Sequence, residues 1–360
     1  MNTISMESIG ISEQLKQEAS FYENLYIGRV SSQHKDLYKV ISEKGEFQAK
    51  VSGKLRFYND EITDYPAVGD WVMVDRLSDE NGTAIIHHTL TRKSIFERKA
   101  AGTSNDNQIV ATNINIIFIC MSLNNDFNLR RLERYLAVAW ESNATPIVIL
   151  TKADLCDDLN LKLAEIASVA IGIDVVTTSF KDSKGFETIQ SYLTNGVTAA
   201  CIGSSGVGKS TLINHLLGEK ILLTSEVRED DDRGRHTTTH RQLFPLPNGG
   251  VIIDTPGMRE LQLDGADLSS TFSDIEKLAE KCRFNDCSHN KEPHCAVKEA
   301  IDNGYLPIER FNSYKKLLKE LKYQELKSSQ REREKINNMF GSKNGMKQMK
   351  KHVKMTNKLR

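Results

Sequence analysis

The chain has 360 residues and is 39% hydrophobic, which suits two or three domains with cores of their own and excludes a wholly disordered polypeptide. Its 48 Lys/Arg balance 48 Asp/Glu, so no global charge marks it as a polyanion binder, and no apolar run nears the ~20 residues needed to span a bilayer. The first twenty residues lack a basic stretch followed by an apolar one, so neither export nor membrane insertion is expected, and the cysteines are expected reduced, in the cytoplasm.

Residues 1–21 read as a flexible N-terminal extension. Over 22–98, the segments Tyr26–Val30, Leu37–Ser42, Glu46–Val51, Trp71–Asp75 and Thr83–His88 are short strand candidates separated by polar or glycine-containing turns. They suit a small barrel such as an OB-fold. Residues 22–97 hold 10 Lys/Arg against 12 Asp/Glu, so nucleic-acid binding by this unit is not readable from charge, and a structural or protein-contacting barrel is an alternative.

Residues 108–262 alternate strands and helices. Ile116–Met121, Pro146–Leu150, Asp174–Thr178, Thr198–Ile202, Arg241–Leu246 and Val251–Asp254 are six strand candidates. Leu129, Leu132, Leu136 and Ala139 give helical spacing across 128–143, and a helix is expected from Thr211 to Leu217. This pattern predicts a mainly parallel sheet covered on both faces.

Gly203-Ser204-Ser205-Gly206-Val207-Gly208-Lys209-Ser210, followed by Thr211, is a complete phosphate-binding loop between a strand and a helix. Its glycines let the backbone wrap closely around phosphates, with amides pointing inward at the helix N-terminus. Lys209 would reach the β- and γ-phosphates, and the Ser210 hydroxyl would ligate Mg²⁺. Asp254-Thr-Pro-Gly257 closes the last strand: Asp254 can hold the metal through water, and the Gly257 amide can meet a γ-phosphate. Arg235–Thr239 lies between these motifs, where a switch threonine completes the metal shell; Thr238 is chosen among three adjacent threonines.

The base is read by Thr151-Lys152-Ala153-Asp154, at the end of an apolar strand. A carboxylate there accepts hydrogen bonds from guanine N1–H and the exocyclic amine, whereas adenine would leave it unpaired at a cost of roughly 1.5–3 kcal/mol per charged hydrogen bond. The tetrad opens with Thr151 rather than the usual Asn, which makes fewer side-chain hydrogen bonds. Ser179 is a candidate to meet the base O6. The tetrad precedes the phosphate loop by about fifty residues, so the elements of an ordinary GTP site occur in rotated order.

Residues 263–340 carry Cys282-x4-Cys287-x-His289-x5-Cys295. Three thiolates and an imidazole suit one tetrahedral structural Zn²⁺ with no open position; His289 gives the tighter loop, and His294 is its rival. Cys120 and Cys201, in apolar strands, read as small core residues. Lys315, Lys316, Lys319, Lys322 and Lys327 share a helical stretch with Leu317, Leu318, Leu321 and Leu326. Residues 307–360 hold 16 Lys/Arg against 5 Asp/Glu, and 341–360 form a basic tail, a pattern that neutralises phosphates.

Through T-K-A-D, G-S-S-G-V-G-K-S-T, R-H-T-T-T, D-T-P-G-M-R-E and the Cys/His cluster, the sequence resembles the RsgA (YjeQ/YloQ) family of circularly permuted GTPases, over roughly residues 22–340. The resemblance implies a multidomain chain: an N-terminal OB-type β-barrel, a central α/β circularly permuted P-loop GTPase and a C-terminal mainly helical zinc-binding domain. It further implies GTP hydrolysis to GDP stimulated by the small ribosomal subunit, contact with its rRNA, and late-stage release from it. The family's proposed catalytic histidine corresponds to His236. Met258, after D-x-x-G, stands where Ras-like enzymes place a water-orienting glutamine, so either another group such as His236 positions water or turnover is slow. A monomer is expected, with Mg²⁺ accompanying GTP. Two alternatives are a GTP-sensing RNA-binding protein and a GTPase acting on another target, such as the large subunit.

Overall fold

A computed structural model describes residues 4–58, 62–78, 80, 82–99, 107–179, 185–222, 241–258, 266–290 and 292–323. His236 and Thr238 lie outside the described residues, as does the tail 341–360. Helix α1 (Glu13–Ala19) comes first, capped by the Ser12 hydroxyl. Strands β1 (Tyr26–His34), β2 (Leu37–Ser42), β3 (Gly45–Val51), β4 (Trp71–Val74) and β5 (Ala84–Thr89) follow, with α2 (Gly53–Tyr58) after β3. Adjacent antiparallel pairs β1–β2 and β2–β3, a parallel β3–β5 pair, and antiparallel β5–β4 and β4–β1 pairs close these five strands into a barrel. Alternation explains the closure: in β3, Phe47, Ala49 and Val51 point inward and the residues between them outward.

A two-stranded hairpin of β6 (Ile95–Lys99) and β7 (Asn107–Thr112) leads on to the main sheet. That sheet uses β8 (Ile116–Ser122), β9 (Thr145–Thr151), β10 (Val175–Thr177), β11 (Thr198–Ile202), β12 (Gln242–Pro245) and β13 (Val251–Asp254), in the order β10-β9-β8-β11-β13-β12. All neighbours are parallel except β12, which runs antiparallel to β13 because only the short turn over residues 246–250 joins them. Helices α3 (Leu129–Glu141), α4 (Leu159–Ala167), α5 (Phe186–Tyr192) and α6 (Lys209–Leu217) lie along this segment. Asn128 caps α3, its carboxamide accepting from the Arg131 amide.

The C-terminal part is helical: α7 (Leu268–Thr271), α8 (Ser273–Ala279), α9 (Ala296–Asp302) and α10 over 308–323. One core runs from Trp71 and Leu90 in the barrel, through Ile117 and Leu136, to Phe272 and Phe311 in the helices. α3 is therefore buried on nearly every side, including at the charged Glu133.

For residues 4–21, the part the structure describes, the expectation of a flexible extension is corrected here. Ile9 is fully buried, the Ser8 carbonyl accepts the Gly196 and Gly250 amides, and the Ile9 carbonyl accepts from Arg29 of β1. Arg29, itself fully buried, also donates to the Gly69 carbonyl at 3.2 Å, the Asn113 carbonyl at 3.2 Å and the Thr198 hydroxyl at 2.9 Å. The segment folds because it carries Ile9 and Leu15 into the core and brings Ile9 to a seam lined by hydrogen-bonding groups that would otherwise lack partners. Barrel and main sheet also meet directly, Ser32 of β1 pairing with Gln242 of β12.

Candidate nucleotide site and metal centre

The phosphate loop leaves β11, an interior strand of the main sheet, and enters α6. Gly203, Gly206 and Gly208 all have positive φ, so the turn needs glycine at each. At Gly203 the demand is also steric: a Cβ would meet the Cys120 carbonyl at 2.3 Å. Lys209 is buried and curls back over the loop, donating to the Gly203 carbonyl at 2.9 Å and the Ser204 carbonyl at 2.8 Å. Burial lowers the pKa of its ammonium, an effect opposed by nearby Asp254. Val207 is buried under the loop, while Ser205, Ser210 and Thr211 are half-buried around it.

Thr151 ends β9, and its hydroxyl donates to the Val207 carbonyl at 2.5 Å. It lies 3.3 Å from the Met121 carbonyl as well. The threonine thus ties the tetrad to the phosphate loop, so base and phosphate elements are held side by side. Gly208 lies beside Thr151, where a Cβ would make only ordinary contact with it at 3.7 Å. Lys152 takes a left-handed conformation, and Asp154 sits exposed in the 3-10 turn Ala153–Leu155. The Ala153 amide donates to the Thr178 carbonyl, bringing buried Ser179 beside the tetrad.

Asp254 ends β13, next to β11 in the sheet, and is fully buried. Thr255 donates to the Cys201 carbonyl at 2.5 Å, and Gly257 packs on the phosphate loop so closely that a Cβ would come within 2.9 Å of the Ser205 backbone. Asp254 and Ser210 are hard oxygen donors beside this loop, a donor set that fits Mg²⁺. Met258 is buried in the core rather than presented to the pocket. Two contributors were not legible beforehand. Thr255 is an ordinary residue inside a motif, and Tyr135 is a lone hydroxyl on an apolar helix face; its bond to the Met258 carbonyl joins residues 123 positions apart.

Cys282, Cys287, His289 and Cys295 converge, one ligand atom from each lying within 4.8 Å of the others. Cys282 Sγ is 3.9 Å from Cys295 Sγ and 3.6 Å from His289 Nδ1, which is 3.3 Å from Cys295 Sγ. Tetrahedral Zn–S and Zn–N bonds imply about 3.8 Å between sulfurs and about 3.6 Å between sulfur and nitrogen, so the spacing fits zinc. A disulfide needs about 2.05 Å. His289 is placed by a left-handed backbone, while His294 is exposed and outside the cluster. Cys295 also caps α9, its sulfur accepting the Lys298 amide. Cys120 and Cys201 are buried in β8 and β11 as core residues; a hydrogen bond between them, then burial, pushes the Cys201 thiol well above its usual range.

A phosphate loop, a D-x-x-G turn and a guanine tetrad around one sheet, with the tetrad strand preceding the loop in the chain, define a circularly permuted P-loop GTPase. A family model described as RsgA GTPase matches residues 89–264. The Small ribosomal subunit biogenesis GTPase RsgA 2 of Lactiplantibacillus plantarum is 50% identical over 348 residues, covering 97% of this chain and 98% of that protein. The RsgA 1 protein of Oceanobacillus iheyensis is 49% identical, over 84% of this chain and 87% of its own. Among solved structures, YjeQ from Thermotoga maritima aligns with a TM-score of 0.60 at 28% identity, covering 82% of this chain and 98% of its own. YloQ, described as a circularly permuted GTPase, aligns at 0.59 and 25% identity, over 84% of this chain and 96% of its own. The chain belongs to the RsgA GTPase family.

Proposed function

We propose that this GTPase binds the small ribosomal subunit, is stimulated by it, and acts in its late maturation, hydrolysing GTP to GDP and phosphate to drive its own or another factor's release. The observation that supports the nucleotide half of this reading is the Thr151–Val207 hydrogen bond, which joins the tetrad to the phosphate loop. The ribosomal half rests on the relatives' names and on the C-terminal charge. The units are a barrel over 22–98, the GTPase over 108–262, a zinc domain over 263–340 and a basic tail over 341–360.

Asp154 reads guanine, with Lys152 and Ser179 flanking the base. Residues Gly203–Thr211 wrap the phosphates, Lys209 neutralises them, and the Gly257 amide meets the γ-phosphate. Ser210, Thr238 and Asp254 would hold Mg²⁺, which when bound supplies charge neutralisation between the β- and γ-phosphates. His236 positions the attacking water on the subunit, because Met258 is turned into the core. Unassisted turnover is accordingly slow, of the order of 10⁻⁴–10⁻² s⁻¹. Loss of the γ-phosphate releases Gly257, and the chain running on from 258 carries that change into the zinc domain.

Cys282, Cys287, His289 and Cys295 would hold one structural Zn²⁺. The exposed Lys315, Lys316, Lys319 and Lys322 face of α10, together with the tail, contacts rRNA. The protein works as a cytoplasmic monomer; no helix among the described residues is long and apolar enough to cross a membrane. The test is GTP turnover with each isolated ribosomal subunit. Stimulation by the small subunit alone is expected, and equal or greater stimulation by the large one overturns the assignment. The buried Met258 favours one second reading, a GTP sensor that binds RNA without appreciable hydrolysis; single-turnover assays with small subunits distinguish the two.

A further inference from the structure

The residue after D-x-x-G is held twice by its backbone. The Met258 amide donates to the Gly203 carbonyl at 3.0 Å, and the Met258 carbonyl accepts the Tyr135 hydroxyl. Tyr135 comes from the middle of α3, is fully buried, and has the Ser204 hydroxyl within hydrogen-bonding reach. Burial raises its phenol pKa, so the group keeps its proton and remains a donor at neutral pH. Met258 adds a third anchor, its side chain being 2% exposed in the core. Gly257, immediately before it, has no Cβ to limit its backbone and lies directly on Ser205 of the phosphate loop. What restricts Gly257 is therefore its neighbour, and what restricts that neighbour's carbonyl is Tyr135.

We propose that Tyr135 is a positioning residue for the γ-phosphate, holding the Gly257 amide in place through the Met258 carbonyl. The proposal rests on the nucleotide reading above and not on the ribosomal one. GDP offers Gly257 nothing to meet, so the tyrosine acts only on nucleotides that carry a third phosphate. The same helix extends the effect. Two residues before Tyr135, Glu133 is buried against Arg310 at 3.1 Å and Ser313 at 2.5 Å, and Arg134 makes a two-bond pair with Glu320 of α10 at 2.8 Å. A contact set by the γ-phosphate is thereby carried on the element that grips the C-terminal helix.

Tyr135→Phe in the full chain removes one oxygen and leaves the ring in the core. Dissociation constants are measured for GDP and for a β,γ-imido GTP analogue, together with single-turnover GTP hydrolysis and the melting temperature. The expected result is GDP affinity within about twofold of wild type and analogue affinity lower by about tenfold, the size of one hydrogen bond. Hydrolysis slows by at least the same factor. Equal weakening of both nucleotides would mean a purely structural tyrosine and overturns the proposal, as does no change in either. Wild-type protein that fails to bind guanine nucleotides would instead sink the nucleotide reading itself.

Discussion

Thr151 shows how a departure from a motif is absorbed. A threonine cannot span what the usual asparagine spans, yet its hydroxyl donates directly to the Val207 carbonyl of the phosphate loop. Thr151→Val leaves that buried carbonyl without its partner, a loss of about 1–3 kcal/mol. GDP and GTP are then expected to weaken alike by about tenfold or more in calorimetry, unlike the selective effect at Tyr135. Asp154→Asn tests base choice. An amide offers guanine one acceptor and a clashing donor, so GDP affinity should fall by roughly 10–100-fold. Xanthine presents a carbonyl where guanine has an amine, so xanthosine diphosphate should bind the variant better than the wild type.

Among the elements, α3 and the cysteine-rich turn between α8 and α9 hold the C-terminal part together. Glu133 and Arg310 are almost wholly buried, and Arg310 also makes two 2.7 Å bonds to Asp274 and stacks over Phe272. Removing one member of such a set strands the others, so Arg310→Met should destabilise by about 3–5 kcal/mol, read by denaturant unfolding. The metal turn has few alternatives: residues 280–290 are mostly exposed and contain no regular helix or strand. Chelation, or Cys287→Ser, is expected to release close to one zinc per chain and lower the melting temperature. Nucleotide affinity should survive, since the ligands come from outside the sheet. Full metal content in Cys287→Ser would remove that residue from the ligand set.

At the scale of the whole molecule, charge and core are distributed differently. The positive excess lies in 307–360, while the largest of three apolar clusters among the described residues runs from barrel to sheet to helices. Truncation after residue 340 removes seven lysines and arginines and no acidic residue, so affinity for small subunits should fall and its dependence on salt should become shallower. An unchanged slope would take the tail out of the interface. The barrel's position depends instead on the N-terminal segment and Arg29. Burial pushes the Arg29 guanidinium down to about 9, so it remains charged at neutral pH, stacked over Trp71 and surrounded by carbonyls. Deleting residues 1–12 withdraws Ile9 and its carbonyl from that seam, and a fall in melting temperature of about 5 °C or more is expected.

Local chemistry was legible in the sequence wherever one stretch of chain carries both the backbone demand and the reacting group. The phosphate loop, the tetrad, D-x-x-G and the Cys/His spacing are such stretches, and the strand periodicities around them place β1–β5 and β8–β13 to within a few residues. Periodicity reports which face of an element is apolar and is silent on what covers that face. Spacing favours His289 over its rival His294, and the fold adds what spacing cannot: both have left-handed backbones, yet it is His289 whose ring joins the three sulfurs among the described residues. The N-terminal segment's packing was equally hidden, since two buried apolar residues, Ile9 and Leu15, and two accepting carbonyls make no pattern. The Tyr135–Met258 and Glu133–Arg310 contacts join residues more than a hundred positions apart, so composition and spacing hold no trace of them. Which nucleotide the chain is built to read is written in short motifs; how that reading reaches the rest of the molecule is decided by tertiary packing, where buried polar groups must find partners wherever the fold brings them.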